Sequence, residues 1–198
     1  MDMRDVARYA YETGQLKRLP RAGWALAGIT NGESVAEHSF RVGVLAYMIA
    51  VLEGANPDRA AALGLFHDVP ETRIGDVPSV GKPYVSTPPA QSIAADQVAG
   101  LPEKLAQHIA ALIDEHESAK ESHATAEARC SRDADKVECL LQAREYQAQG
   151  NPQLQPWIDS MAAAVTTETG KRLAAAAQDI SPEIWWAEFA ANFAKNSR

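Results

Sequence analysis

Ser34-Val-Ala-Glu37 begins an apolar segment that continues through Phe40-Arg-Val-Gly-Val-Leu-Ala-Tyr-Met-Ile-Ala-Val-Leu-Glu53. Serine and glutamate at this spacing form a capping box, in which each side chain accepts a free backbone N–H at a helix start. The apolar side chains that follow recur at helical spacing, at Val42, Leu45, Ala46, Ile49 and Leu52. The segment therefore predicts one long helix that reaches about Glu53.

The rest of the chain also favours helices. Alanine fills 37 of 198 positions and runs of β-branched residues are missing, so good helix formers dominate. Asn56-Pro57 is typical of a helix start, with Asn as the cap and Pro at the first helical position. Glycine and proline are frequent in 17–33 and 75–89, which predicts two irregular stretches, the second a surface loop over a site.

Helical patterns and their boundary signals account for most other segments. Further helices are predicted from Asp2 to about Glu12, from Asn56 towards His67, over about 90–99, 102–119, 122–149, 153–168 and 170–178, and after Ser181-Pro182. We predict a single all-α domain over residues 1–198, with about eight or nine helices and with the helices of 150–198 packed on the others.

The composition excludes several classes of protein. With 46% hydrophobic residues the chain has too much core-forming material to be disordered. It lacks an apolar run of about 18 residues and a signal-peptide pattern, so we expect no membrane partner. The net charge of −7 argues against a nucleic-acid polymer as the main partner. Cys130 and Cys139 match neither a disulfide framework nor a zinc spacing, so we expect a cytoplasmic protein with reduced thiols.

His67-Asp68 lies at the end of an apolar helix, directly before the break at Pro70. The apolar residues before it would draw this turn into the core, where a carboxylate must be paired or bound to a metal. His38, near the start of the preceding helix, and Asp135, at the start of a long apolar helix, complete a set of two imidazoles and two carboxylates. The set predicts one divalent metal ion, drawn from Mn, Co, Fe, Ni, Zn or Mg. Four protein ligands leave room for water and a substrate oxygen, as metal-assisted hydrolysis requires.

These residues, in this order and at these separations, resemble the metal-binding motif of the HD-domain metal-dependent phosphohydrolases. One branch is more similar still, namely the 5′-deoxynucleotidases and their HD-domain-containing relatives. The similarity covers about residues 16–147 and rests on Leu16-Lys-Arg-Leu-Pro-Arg-Ala-Gly-Trp24, Glu33-Ser-Val-Ala-Glu-His38-Ser, His67-Asp68-Val-Pro-Glu71, Gly75-Asp76-Val-Pro78 and Asp135-Lys-Val-Glu-Cys-Leu-Leu-Gln-Ala143.

The resemblance implies a role for each matching position. The four metal ligands would be His38, His67, Asp68 and Asp135. The carboxylate of Glu71 would orient and deprotonate the attacking water. Two further matches concern the substrate: Asp76 would hold the sugar hydroxyl, and Trp24 would close the sugar pocket and crowd out a 2′-hydroxyl. The loop Asp76, Val77, Pro78 and Ser79 would face the sugar and the phosphate. The resemblance also implies a homodimer.

The sequence departs from the family pattern at one position. In the best-known bacterial 5′-deoxynucleotidases an arginine that helps to hold the phosphate directly precedes the tryptophan, whereas here the residue is Gly23. Arg21 is our first choice for the phosphate, because relatives with a Pro-Arg-x-Gly-Trp pattern show the same rearrangement. Arg18 and Lys82 are the alternatives.

Each assigned residue also has a structural alternative. In that case Glu71 would lie at a solvated helix end and Asp76 would cap a turn. Trp24 would fix the N-terminal arm to the core. Asp133 lies only two residues before Asp135, and we choose Asp135 because Leu-Leu-Gln-Ala follows it in the family register.

Other aromatic side chains have two interpretations each. His116 and His123 lie in the interval where some HD enzymes recruit histidines for a second metal, but we favour surface histidines. Trp157 and Trp185-Trp186 are predicted to cover the helical core or to form a subunit contact.

Three classes of function compete. The leading hypothesis is an enzyme that hydrolyses (deoxy)ribonucleoside 5′-monophosphates to nucleoside and phosphate. The second is another HD enzyme, namely a phosphodiesterase, a nucleoside triphosphate hydrolase or a di-iron oxygenase. The third is a non-catalytic helical binding protein, and the presence of all four ligand types with Glu71 and Asp76 argues against it.

Overall fold

The computed structural model describes the backbone of residues 3–196 and the side chains of residues 3–193. Within that range it is all-α, as predicted, and its only β pairing is a single bridge between Pro20 and Ser34. Two of its eleven α-helices have only five and four residues, which leaves nine longer ones. The helices are α1 Met3–Thr13, α2 Ala22–Leu26, α3 Val35–Glu53, α4 Pro57–Phe66, α5 Glu71–Ile74, α6 Ala90–Val98, α7 Glu103–Glu117, α8 Ala126–Ala148, α9 Gln155–Ala164, α10 Glu168–Asp179 and α11 Ile184–Asn196.

Local signals placed the central helix correctly. The Ser34 hydroxyl accepts the Glu37 backbone N–H, and the Glu37 carboxylate accepts the Ser34 N–H, so the capping box starts α3 as predicted. At the other end Gly54 takes a left-handed conformation with φ of 73°, which suits glycine and closes the helix. Asn56 caps α4 through its side chain. The Asp2 cap proposed for the first helix lies outside the described residues.

The core forms where α3 and α8 cross. Both helices pack against α4, and α9 and α10 cover the other side of α8. The largest buried cluster unites side chains of these helices, with Ile49, Leu140, Leu154 and Ile158 among its fully buried members. This packing holds the first turns of α3 and the middle of α8 side by side.

The expectation that the chain lacks an apolar run of about 18 residues is wrong for α3, which is long and apolar enough to meet the usual criterion for a membrane span, with a mean hydropathy of 1.4. Half of that stretch is buried inside the protein, where it packs against α4 and α8. A core helix satisfies the same criterion, so the apolar character of α3 follows from its central position.

Two boundaries differ from the sequence prediction. The stretch 17–33, predicted to be irregular, contains the short helix α2. The break predicted near residue 169 lies earlier, at 165–167, because Thr167 caps α10 by accepting the Gly170 N–H. The carboxylate of Asp133, on α8, also accepts the backbone N–H groups of Thr166 and Thr167, and this fixes the break.

The three tryptophans outside the arm do not share one role. Trp157 packs beside Trp24, with ring centroids 6.0 Å apart. Trp185 and Trp186 on α11 are exposed, as is Phe189, so the pair does not cover the core, and the alternative, a subunit contact, stays a prediction. The pair belongs to a helix that is amphipathic along its own length but stands away from the buried clusters.

Candidate metal centre

Three helices bring the four predicted metal ligands together. His38 lies near the start of α3, His67 directly follows α4, and Asp135 lies on α8. His38 Nε2 is 3.4 Å from Asp135 Oδ1 and 3.6 Å from Asp68 Oδ2, and His67 Nε2 is 3.1 Å from Asp68 Oδ2. One donor atom from each of His38, His67 and Asp135 lies within 4.8 Å of the others. Asp68 is not a member of that group of three, but its Oδ2 lies beside both Nε2 atoms.

The second ring nitrogen, Nδ1, of both His38 and His67 already makes a hydrogen bond. His67 Nδ1 donates to the carbonyl of Gly64 at 2.8 Å, since a carbonyl can only accept. His38 Nδ1 donates to the buried carboxylate of Glu138. Both rings therefore carry their proton on Nδ1 in the neutral form and turn the lone pair of Nε2 towards the aspartates. A hydrogen-bonded second nitrogen of this kind is the usual support of a metal-binding histidine.

The cluster fits a divalent ion on its own geometry. His38 Nε2 is buried and makes no hydrogen bond within the described part of the chain. Burial and Arg21 would lower the pKa of His38, but the carboxylates of Asp135 and Glu138 raise it to about 10, so the ring is protonated when no metal is bound. A metal cation bound at Nε2 would take the place of that proton. Two nitrogen and two oxygen donors suit a first-row transition metal, and the carboxylates would accept Mg as well.

The aspartates of the cluster are held in their ionised form. Burial by itself would raise the pKa of Asp68 and of Asp135. His67 and Arg21 beside Asp68, and Lys136 and His38 beside Asp135, outweigh burial and keep both pKa values below the usual range. Both groups are thus ready to act as anionic ligands.

Glu71 stands beside the cluster in a different electrostatic state. Its Oε2 is buried without a hydrogen-bond partner among the described residues. Burial, with the negative charges of Asp68 and Asp76, raises the pKa of Glu71 to about 9. A carboxyl group with a shifted pKa at the edge of a cavity is a candidate for proton transfer.

Asp76 and Arg21 join the N-terminal arm to the loop after α5. The Asp76 carboxylate accepts the backbone N–H of Ala22 at 2.8 Å, at the start of α2. The Arg21 guanidinium is 3.3 Å from Asp68 Oδ2 and 3.8 Å from Asp76 Oδ2. Arg21 thus already lies between two carboxylates, and Asp76 serves as a cap in addition to facing the cavity.

A cavity of about 210 Å³ opens directly beside the cluster. Its lining combines acidic groups, Lys82 and Lys136 with apolar residues such as Trp157 and Met161. Every residue that the sequence analysis assigned to substrate lines this cavity: Trp24, Arg21, Asp76, Val77, Pro78 and Ser79. Asp68, Glu71 and Asp135 line it too.

Sequence reasoning missed the residues behind His38. Glu138 is fully buried and binds Arg41 as well as His38, with Arg41 Nε 3.0 Å from Glu138 Oε1. Glu33 accepts the indole N–H of Trp24 at 3.0 Å. Burial and the charge of Glu138 raise the pKa of Glu33 to about 7. Glu138 lies one turn after Asp135 on α8, so its position on the ligand-bearing face was the available signal.

His116 corrects a further expectation, since it is not a surface histidine. It is 5% exposed, its ring centroid is 4.8 Å from that of His67, and Nδ1 is hydrogen-bonded to Ser131 Oγ. Burial, with the nearby charge of His67, lowers the pKa of His116 to about 3. His116 does not belong to either group of potential ligand atoms found among the described residues. His123 is exposed and pairs with Glu121.

Comparisons with known proteins agree with this geometry. The HD domain family model matches residues 13–178. A 5′-deoxynucleotidase HDDC2 from Bos taurus is 34% identical over 163 residues, which cover 80% of this chain and 77% of that protein. The Homo sapiens 5′-deoxynucleotidase HDDC2 is also 34% identical, with 80% and 78% covered. A crystal structure named as a predicted metal-dependent phosphohydrolase from Magnetospirillum magnetotacticum has a TM-score of 0.67 and 26% identity, and 89% of each chain is covered.

The chain therefore belongs to the HD-domain family. The likeness to its metal-dependent phosphohydrolases, and to the 5′-deoxynucleotidase branch among them, is confirmed, as is the expectation of a metal-dependent enzyme.

Proposed function

We propose that this protein is a metal-dependent phosphomonoesterase that hydrolyses nucleoside 5′-monophosphates, preferably the 2′-deoxy compounds, to nucleoside and phosphate. The observation that carries the proposal is the convergence of His38 Nε2, His67 Nε2 and the two aspartates beside a cavity that has both charged and apolar lining residues. A nucleotide likewise combines a charged phosphate with the apolar face of a base. The relatives named as 5′-deoxynucleotidases support this substrate class.

In this proposal His38, His67, Asp68 and Asp135 hold one divalent ion. When bound, the ion supplies positive charge beside the phosphoryl group and makes water more acidic. Arg41 and Glu138 keep His38 in its orientation from behind. Gly64 does the same for His67 through its carbonyl.

Glu71 is assigned the proton transfer. Water attacks phosphorus, the bond from phosphorus to the 5′ oxygen breaks, and Glu71 accepts the proton that the water loses and passes it to the 5′ oxygen, which leaves as the nucleoside hydroxyl. The raised pKa of Glu71 reflects burial and two neighbouring aspartates, and positive charge at the metal centre would lower it towards neutrality. Asp76 contacts the sugar hydroxyl, and Trp24 limits the space at the 2′ position.

We assign the binding of the phosphate to positively charged side chains that line the cavity. Arg21 is the first candidate, because it lies beside Asp68 and Asp76 in the cavity wall. Lys82 lines the same cavity and is the second. The loop of Val77, Pro78 and Ser79 completes this wall.

The test is phosphate release from a panel of ribo- and deoxyribonucleoside 5′-monophosphates, with Mn, Co, Zn or Mg added to metal-stripped protein. Glu71→Gln removes the proton acceptor and leaves all four ligands in place, so we expect a loss of about 10²–10⁴ in kcat with metal content unchanged. Glu117→Gln, an exposed carboxylate nearby on α7, is the control and should retain activity. No release from any monophosphate by metal-loaded protein would refute the proposal.

We further propose a cytoplasmic homodimer. Cys130 and Cys139 are free and buried, which suits a reducing compartment. Phe40, Val44, Tyr47, Met48 and Leu65 line an exposed apolar groove on α3 and α4, which is a candidate subunit contact. Light scattering should give twice the chain mass for the wild type and the chain mass for Met48→Glu. Leu105→Glu, in another exposed apolar patch, should leave the wild-type mass unchanged.

A further inference from the structure

The cavity beside the metal cluster receives one wall from a helix that carries none of the family motifs. Trp157 and Met161 lie one turn apart on α9, and both line the cavity together with Trp24 and Cys139. The same cavity is lined by Asp68 and Asp135 of the proposed metal cluster and by Glu71. We propose that the Trp157–Met161 face of α9 is the nucleobase subsite. This inference rests on the proposed function and names the part of the nucleotide that α9 receives.

The two tryptophans that line the cavity differ in how much of their ring surface a ligand can reach. Trp24 is 3% exposed, and its indole N–H is bound to Glu33. Trp24 also has Tyr146 at its edge, at a centroid distance of 5.2 Å. Trp157 is only half-buried, and one side of it packs on Trp24 at an angle of 35°. Trp24 is thus fixed as part of the core, whereas Trp157 keeps surface for a ligand.

The anchoring of α9 makes Trp157 a rigid platform. Leu154 and Ile158, on either side of it in sequence, are fully buried in the main core cluster. Gly23 opposes the tryptophan: a Cβ atom at this position would lie 3.7 Å from the edge of the Trp157 ring. That distance is ordinary van der Waals contact, so residue 23 lies directly beside one edge of the Trp157 ring, on the arm that also carries Arg21.

The apolar residues that line the cavity suit a planar aromatic ring. Gly23, Trp24, Cys139, Trp157 and Met161 offer neither a charge nor an amide for the edge of a base. Aromatic stacking and thioether contact remain, and both act through the face of a ring. A nucleobase stacked on Trp157 would have Trp24 beside it for the sugar, because the two rings are neighbours, and its phosphate would face the metal cluster that lines the same cavity.

The experiment compares substrates with and without a base. Trp157→Leu keeps an apolar side chain on α9 but removes the ring. We expect it to raise KM for 2′-deoxyadenosine 5′-monophosphate about 5- to 100-fold, with kcat changed less than about threefold. Hydrolysis of 2-deoxyribose 5-phosphate, which has no base, should keep its wild-type kcat/KM. Trp157→Phe retains a stacking face and should recover most of the loss.

The controls separate folding, function and subsite. Trp185→Leu on the exposed α11 should leave both substrates unaffected. Equal loss on both substrates with Trp157→Leu, at unchanged helicity and Tm, would overturn the subsite, because a structural role affects both alike. If the wild type hydrolyses neither substrate, the proposed function fails, and equilibrium binding of the two compounds to wild type and Trp157→Leu decides the base contact independently. Equal binding by both proteins would then overturn it.

Discussion

His38 donates its Nδ1 proton to Glu138, and Glu138 lies one helical turn after Asp135 on α8. A single face of α8 thus supplies a metal-facing carboxylate and the carboxylate that orients the histidine opposite. Arg41 lies between Glu138 and Glu145, with its side chain bound to both. The charge of Glu138 is therefore balanced from both sides, by an imidazole and by a guanidinium.

Glu138→Gln tests this support. The amide oxygen can still accept from His38 Nδ1, but the negative charge that strengthens the imidazole as a ligand is lost. We expect metal affinity to fall about 10- to 100-fold, measured by metal titration of stripped protein. Glu145→Gln also removes a partner of Arg41 without touching His38, and it should bind metal as the wild type does. Equal affinity of the wild type and Glu138→Gln would contradict the assigned role.

Substitution of Asp133 should lower the stability of the fold, whereas substitution of Asp135 should impair metal binding. The carboxylate of Asp133 is fully buried and accepts from Thr166 and Thr167. Asp133→Ala leaves these backbone groups without an acceptor, so the free energy of unfolding should fall by about 1–3 kcal/mol. Asp135→Asn should instead lose metal binding. Urea denaturation and metal content, measured on both variants without and with metal, check the pair, and a reversed pattern would refute the choice of Asp135.

The two thiols should be inert in the folded protein. Burial raises the pKa of Cys130 to about 11 and that of Cys139 to about 12, with the nearby carboxylates adding to the effect. Because the thiolate is the reactive form, neither thiol should react rapidly with a disulfide reagent at pH 8. Two equivalents should react once the protein is unfolded in guanidinium. Rapid reaction of the native protein at pH 8 would show that the thiols are not shielded in this way.

Glu33 should influence sugar selectivity through Trp24. Its carboxylate accepts the Trp24 indole N–H, and Gly32 lies so close that a Cβ atom would be 3.1 Å from Trp24 Cβ. Glu33→Leu removes the acceptor, so the ratio of kcat/KM for deoxy- over ribonucleotide should fall about 2- to 10-fold. Glu33→Gln retains an acceptor and should preserve the ratio. An unchanged ratio in both variants would mean that Trp24 does not depend on this hydrogen bond.

Local sequence signals were sufficient for the central helices, because caps and apolar spacing act over a few residues. The capping box at Ser34 and the Asn56-Pro57 start are of this kind. The proximity of the four proposed ligands followed from a family resemblance. Nothing local predicts that His38 and Glu138, 100 residues apart, form a hydrogen bond.

His116 illustrates a signal that was present in the sequence. Ile109, Leu112, Ile113 and His116 follow the spacing of a single helix face, and all four are buried. Its sequence neighbours Glu115 and Glu117 lie on other faces of α7 and are not fully buried. The end of the break before α10 was not predictable in the same way, because the decisive acceptor, Asp133, comes from another helix.

The Asp133 carboxylate, which links α8 to the start of α10, limits how far the chain can be truncated. A fragment ending near residue 147 would contain every motif that identifies the family. It would lack the Thr166 and Thr167 amides that hold Asp133, two residues from the proposed ligand Asp135, and also the α9 wall of the cavity. We therefore expect the smallest fragment that folds to extend through α10, where the family match also ends, because α9 and α10 support the site.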